Sequence, residues 1–183
     1  SSSTIMAVGN DTLSNPKNSG VASNPTTVID PKNAKDTTKT VKPKDFGPKQ
    51  KQSGYAKYFA NIDQGKKILC FFAAGCEHCQ ETAKKLTEMK QKDKSFPDVS
   101  IIFMDEEVDK IPNFFTLAGK KYPYQIVDVI GFWNLIGTTR DTPGVKYLWN
   151  GNEIKFYDGI NENKFDAIEL KKTIKKNYSE LKK

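Results

Sequence analysis

Ile68-Leu69-Cys70-Phe71-Phe72-Ala73-Ala74-Gly75-Cys76-Glu77-His78-Cys79 decides how this chain is read. The apolar run that opens it has the length and density of a short strand buried on both faces. The small residues Ala73-Ala74-Gly75 make a connector. From Cys76 the period changes. Cys79, Ala83, Leu86 and Met89 return at helical spacing, with Lys84, Lys85, Lys90 and Lys92 on the opposite side. A pair of thiols two residues apart is thereby set where a buried strand passes into a helix. The first thiol lies where unpaired backbone N–H groups and the helix dipole favour a thiolate, and the second follows one turn on.

Working outward, Lys66–Phe72 and Val99–Met104 read as strands, and Asp109–Ala118 as a helix stopped at Gly119. Tyr124–Val129 reads as a strand and Phe132–Ile136 as a short helix between Gly131 and Gly137. Val145–Trp149 and Glu153–Tyr157 flank Asn150-Gly151-Asn152, the signature of a tight hairpin turn. Asn163–Tyr178 is amphipathic and predicts a closing helix. Strands alternating with helices predict an α/β fold with a partly parallel sheet and helices on both faces, completed by an antiparallel hairpin.

Composition divides the chain. Residues 1–54 contain one of its 20 aromatic residues, Phe46, and are rich in Ser, Thr, Asn, Pro and Lys. Too little apolar surface is present there to offset ordering entropy, so 1–54 is expected to be a disordered polar tether and 55–183 a single domain. Eight lysines against four aspartates make the tether the more basic part per residue, while the remainder is nearly balanced. No basic stripe with interleaved aromatics is present, so nucleic-acid binding is not expected. The longest apolar run, Ile68 to Cys76, is about half the roughly 20 residues a membrane span requires. A long polar leader before a compact head suits attachment to a membrane anchor in a longer protein.

The strand order, with Cys-x-x-Cys at the first strand–helix junction, resembles the thioredoxin fold. Thr142-Pro143-Gly144 before the strand at Val145, Asn150-Gly151 in the hairpin and Gly159 before the last helix strengthen the likeness, which covers roughly 55–183. Lys66-Lys67-Ile68-Leu69 and Ala83-Lys84-Lys85-Leu86 around the dithiol resemble extracytoplasmic bacterial thioredoxin-like domains of the DoxX-associated, TlpA and ResA kind. The resemblance implies a cis peptide before Pro143, packed against the dithiol. It implies Cys76 as nucleophile and Cys79 as resolving thiol, supported by Glu77, His78, Thr142 and Pro143. It implies exchange with protein thiols and disulfides, no cofactor, a redox partner protein that could be membrane-bound, a monomer, and a periplasmic location.

Two departures stand out. Thioredoxins have Trp before the first Cys, where this chain has Gly75. They have a buried Asp six residues before that Cys, where this chain has Cys70, leaving Glu81 or water to take the proton from Cys79. His78 between the cysteines favours a thiolate at Cys76, and Glu77 opposes it. A stabilised thiolate makes the disulfide the more oxidising partner.

Other readings of these residues are blander or different in class. Cys70 reads as a small core hydrophobe. Phe71, Phe72, Phe103 and Trp149 read as core, and Phe132 and Trp133 as core rather than a substrate groove. Cys76, His78 and Cys79 could instead bind Cu(I) or Zn(II), with Cys70 or a partner as a further ligand. Haem attachment is excluded because Gln80, not His, follows Cys79. Three cysteines cannot make a four-cysteine iron–sulfur site within one chain.

Overall fold

The computed structural model describes residues 47–182. Residues 1–46, most of the expected tether, lie outside the described residues. Five strands form one mixed sheet: β1 (Lys66–Phe72), β2 (Asp98–Met104), β3 (Tyr124–Val127), β4 (Gly144–Trp149) and β5 (Asn152–Asp158). Their spatial order is β3-β2-β1-β4-β5. β1 pairs parallel with β2, and β2 with β3, whereas β4 is antiparallel to both β1 and β5. The helices are α1 (Glu77–Lys92), α2 (Ile111–Ala118), α3 (Val129–Ile136), α4 (Ala167–Lys175) and α5 (Tyr178–Leu181), with a 3₁₀ turn at Val108–Lys110.

The pleat of the central strands sorts the core into two layers. Ile68, Cys70 and Phe72 of β1 and Ile101 and Phe103 of β2 face one side. There they meet Cys79, Ala83 and Leu86 of α1, Phe114, Phe115 and Ala118 of α2, and Leu170 of α4. Leu69, Phe71, Ile102 and Met104 face the other side, against Phe132 and Ile136 of α3 and against Tyr55 and Ile62. Both faces of β1 are therefore dry, which is why its sequence is apolar without alternation. Phe132 is core, as expected, and Trp133 packs against it at 5.4 Å between ring centroids.

Element ends differ from the periodicity where a polar side chain caps a helix. Asp128 accepts from Gly131 N at 3.0 Å, so Val129 begins α3 instead of ending β3. Asp166 accepts from Glu169 N at 3.0 Å and starts the closing helix at Ala167. Asn177 then caps a separate turn, with Glu180 returning the bond, so the expected helix at 163–178 divides into α4 and α5.

Residues 47–54, which composition groups with the tether, run along the β4–β5 hairpin. Lys51 N donates to Asn150 O at 2.9 Å, Asn150 Nδ2 to Pro48 O at 2.9 Å and Asn152 Nδ2 to Lys49 O at 2.9 Å. Asn150 and Gly151 both have positive φ, 52° and 83°, as the hairpin turn demands. A Cβ on Gly151 would also overlap the Lys51 carbonyl. Gly151→Ala is expected to cost about 1–3 kcal/mol, read as a lower urea midpoint at an unchanged slope. An unchanged midpoint would contradict both the left-handed turn at Gly151 and the docking of 47–54 against it.

The chain before β4 is held from both sides. Arg140 makes a two-pronged contact with Glu153 at 3.1 and 2.7 Å. Glu153 also meets the buried Lys146 at 3.1 Å, and Lys146 Nζ donates to Tyr55 Oη. Asp141 N donates to Asp158 Oδ2 at 2.8 Å, and Gly159 N to Pro143 O at 3.1 Å. These bonds fix the Thr142–Pro143 peptide, which is cis.

Candidate functional site

The dithiol lies at the C-terminal end of β1, the edge at which open α/β sheets present their sites. Cys76 is the N-cap of α1, with extended backbone (φ −85°, ψ 117°). Its Sγ occupies the position that Ser or Asp fills in other helices and accepts from Cys79 N at 3.2 Å. Cys76 N donates to Ala73 O at 3.1 Å, closing the connector, and Gln80 Nε2 donates to Ala74 O at 3.0 Å. All three cysteines are free thiols.

The three sulfurs differ sharply. Cys76 is half-buried, and its pKa is lowered to about 6. The largest cause is the hydrogen bond from the Cys79 thiol. Backbone N–H groups of Cys79 and His78 and the His78 charge add to it, against partial burial. Cys79 is fully buried, and burial pushes its thiol well up, as does its bond to Cys76. Cys70 lies beneath, 0% exposed, with its thiol pushed well up by burial alone. One sulfur is thus charged and reachable, one is protonated behind it, and one is a core side chain.

His78 is exposed, with Nδ1 3.7 Å from Glu81 Oε1. Glu81 is likewise exposed and turned toward His78, while Glu77 lies exposed in the first turn of α1. The β1–β4 register sets Gly144 opposite Phe71, bringing Pro143 to the end of β1 from which Cys76 follows. A groove of about 350 Å³ runs alongside, lined by His78, Thr82, Pro143, Ile160 and Phe165. Thr142, before Pro143, is half-buried, its N–H bonded to Asp141 Oδ1 at 2.7 Å. The structure therefore brings Cys76, Cys79, His78, Thr142 and Pro143 to one edge. Among the described residues, no three of His, Cys, Asp and Glu converge as metal ligands.

One neighbour of the dithiol is not signalled by any motif. Glu107, after β2, places its carboxylate against Gly75, and Lys110 donates to Glu107 Oε2 at 2.7 Å. Only the run Asp105-Glu106-Glu107 at the end of a parallel strand hinted at charge near the site.

The fold is thioredoxin-like, with a Cys-x-x-Cys at the β1–α1 junction and a cis peptide before Pro143 at the start of β4. The same fold occurs in the crystal structure of a thiol:disulfide interchange protein of the thioredoxin family from Chlorobium tepidum. The TM-score is 0.51 and the identity 16%, over 65% of this chain and 83% of that one. In sequence, 136 residues are 57% identical to Protein TlpB of Flavobacterium psychrophilum. That match takes in 74% of this chain but 37% of TlpB, so the chain spans little more than a third of the curated relative it matches. No protein-family model matches the chain. Among the described residues no helix is long and apolar enough to cross a membrane.

Proposed function

We infer that the chain is a protein thiol–disulfide oxidoreductase acting through Cys76 and Cys79. The observation that carries this reading is the N-cap position of Cys76, whose sulfur is held by the Cys79 N–H and is acidic beside a buried second thiol. Cys76 attacks a substrate disulfide as the thiolate, displaces one substrate sulfur and forms a mixed disulfide. Cys79 then gives up its proton, attacks Cys76 Sγ and releases the second substrate thiol. Cys70 offers no carboxylate to receive that proton and Glu81 is turned toward His78, so water reaching the groove is the acceptor. Pro143 and Thr142, brought to the same end of the sheet by the β1–β4 register, align the incoming chain. Run in reverse, the same steps oxidise a substrate dithiol.

Cys79→Ser tests the assignment of roles. It leaves the attack intact and removes resolution, so mixed disulfides with protein substrates accumulate and dissolve in dithiothreitol. Free, unmodified Cys76 after exposure to an oxidised protein substrate refutes the reading. A monomer working outside the cytoplasm on a membrane tether belongs to the same proposal. It is supported by the subgroup resemblance and the polar composition of residues 1–54. Fractionation that returns the native protein with the cytosol would remove that part of it.

A further inference from the structure

Gly75 places nothing of its own beside Cys76, and another element fills the space. A Cβ built on Gly75 would sit inside the Glu107 carboxylate, with Glu107 Cδ 2.8 Å away. The backbone of Gly75 is outside the left-handed region, so its turn does not require glycine. What the site uses is the missing side chain. Glu107 reaches this place from a left-handed backbone, φ 54° and ψ 38°, a conformation uncommon for glutamate. Lys110, one 3₁₀ turn on, holds the carboxylate there.

Folding does not account for the arrangement. The Glu107–Lys110 pair is half-exposed on both sides, and such pairs add little to stability. Its location does suggest a role, because the loop leaves the C-terminal end of β2, next to the end of β1 that leads to Cys76. On the Pro143 side the groove mixes charges, with Lys85 and Lys164 beside Glu81 and His78, whereas at Gly75 it is the Glu107 carboxylate that fills the space.

We propose that Glu107 is a specificity-determining residue: it keeps a negative charge at the Gly75 lip of the dithiol and favours disulfides flanked by positive charge over anionic ones. The inference rests on Cys76 being the attacking sulfur. The step it biases is the first one, in which the Cys76 thiolate attacks R–S–S–R, the S–S bond breaks and RS⁻ leaves. Cys79 then loses its proton to solvent and expels the second RS⁻ from Cys76. Two electrons pass from the protein dithiol to the small disulfide.

The test uses the reduced 183-residue protein with three small disulfides: cationic cystamine, neutral hydroxyethyl disulfide and anionic dithiodiglycolate. At low salt, E107Q is expected to lower the cystamine-to-dithiodiglycolate rate ratio by about three- to tenfold, with the neutral rate little changed and the difference erased at high salt. G75A keeps every charge but its methyl displaces the carboxylate, so it should lower the ratio in the same direction. Equal ratios in wild type and E107Q overturn the inference, as does a drop in E107Q that G75A does not share. Iodoacetamide distinguishes the two levels. A wild-type thiol unreactive at neutral pH defeats the oxidoreductase reading itself, whereas a reactive thiol with unchanged ratios defeats only the role of Glu107.

Discussion

Cys76→Ser is expected to abolish disulfide exchange, a loss on the order of a thousandfold or more, because serine supplies no thiolate at neutral pH. The same sulfur should be the only fast target of iodoacetamide, with its rate rising through a midpoint near pH 6. Cys79 and Cys70 should stay silent, since burial keeps both as thiols. Acid conditions make the sharpest measurement. Near pH 7 Cys76 is roughly nine-tenths thiolate against about 3% for an ordinary cysteine, yet nucleophilicity falls with pKa and returns roughly tenfold of that gain. The net advantage is therefore only a few-fold. Near pH 5 the gain in thiolate is roughly 300-fold against the same tenfold penalty, leaving an advantage of about 20-fold or more over an unperturbed thiol. A midpoint near that of an ordinary thiol (~8.5), or exchange surviving in the serine variant, ends the proposal.

The low pKa acts a second time. In the reverse direction a reduced substrate attacks the reachable Cys76 of the Cys76–Cys79 disulfide and expels Cys79; a stable thiolate leaves easily, so Cys76 is then released readily when the second substrate thiol attacks the mixed disulfide. Attack by Cys79 during resolution instead expels the substrate sulfur, and the rate then depends on the substrate thiol. The buried, protonated Cys79 is the slower partner, and without a carboxylate at the position of Cys70 its deprotonation depends on water.

Much of this was legible in the chain because it is encoded over short spans. β1 is dry on both faces and reads as an unbroken apolar run, and the dithiol follows its end by a fixed number of residues. Asn150-Gly151 needs positive φ twice, and few residue pairs accept that. Three features escaped for one common reason: contacts between segments distant in sequence leave no period. The docking of 47–54 depends on carbonyls of Pro48 and Lys49 meeting Asn150 and Asn152 side chains, which polar composition disguises as linker. The burial of Lys146 among Tyr55, Phe71 and Phe156 needs Glu153 and Arg140 from other segments. Glu107 reaches Gly75 only because a left-handed turn follows β2. The closing helix departs from the pattern for a different reason: the apolar spacing runs on from Ile174 to Tyr178, while Lys176 ends α4 and Asn177 caps the start of α5.

The midpoint potential should change slope with pH at about 6. Below that value the reduced protein binds protons on both Cys76 and Cys79, so two electrons travel with two protons and the potential falls by ~59 mV per pH unit. Above it Cys76 remains a thiolate, one proton travels, and the slope halves to ~30 mV. Stability carries the same signature. The folded pKa of Cys76 is depressed from 9.0 to about 6, so its contribution to the reduced fold is complete above pH 9 and lost as pH falls toward 6. The disulfide form lacks that dependence, and the reduced protein should lose ground against the oxidised one across this window alone. The causes of the shift also order the variants. The Cys79 thiol supplies the largest part, so Cys79→Ala should move the alkylation midpoint of Cys76 upward further than His78→Ala, which removes only the weak charge and keeps the backbone N–H. If His78→Ala moves it more, the thiolate is held by side-chain charge rather than by the helix terminus and its buried neighbour; a potential that runs straight through pH 6 means that Cys76 does not titrate there.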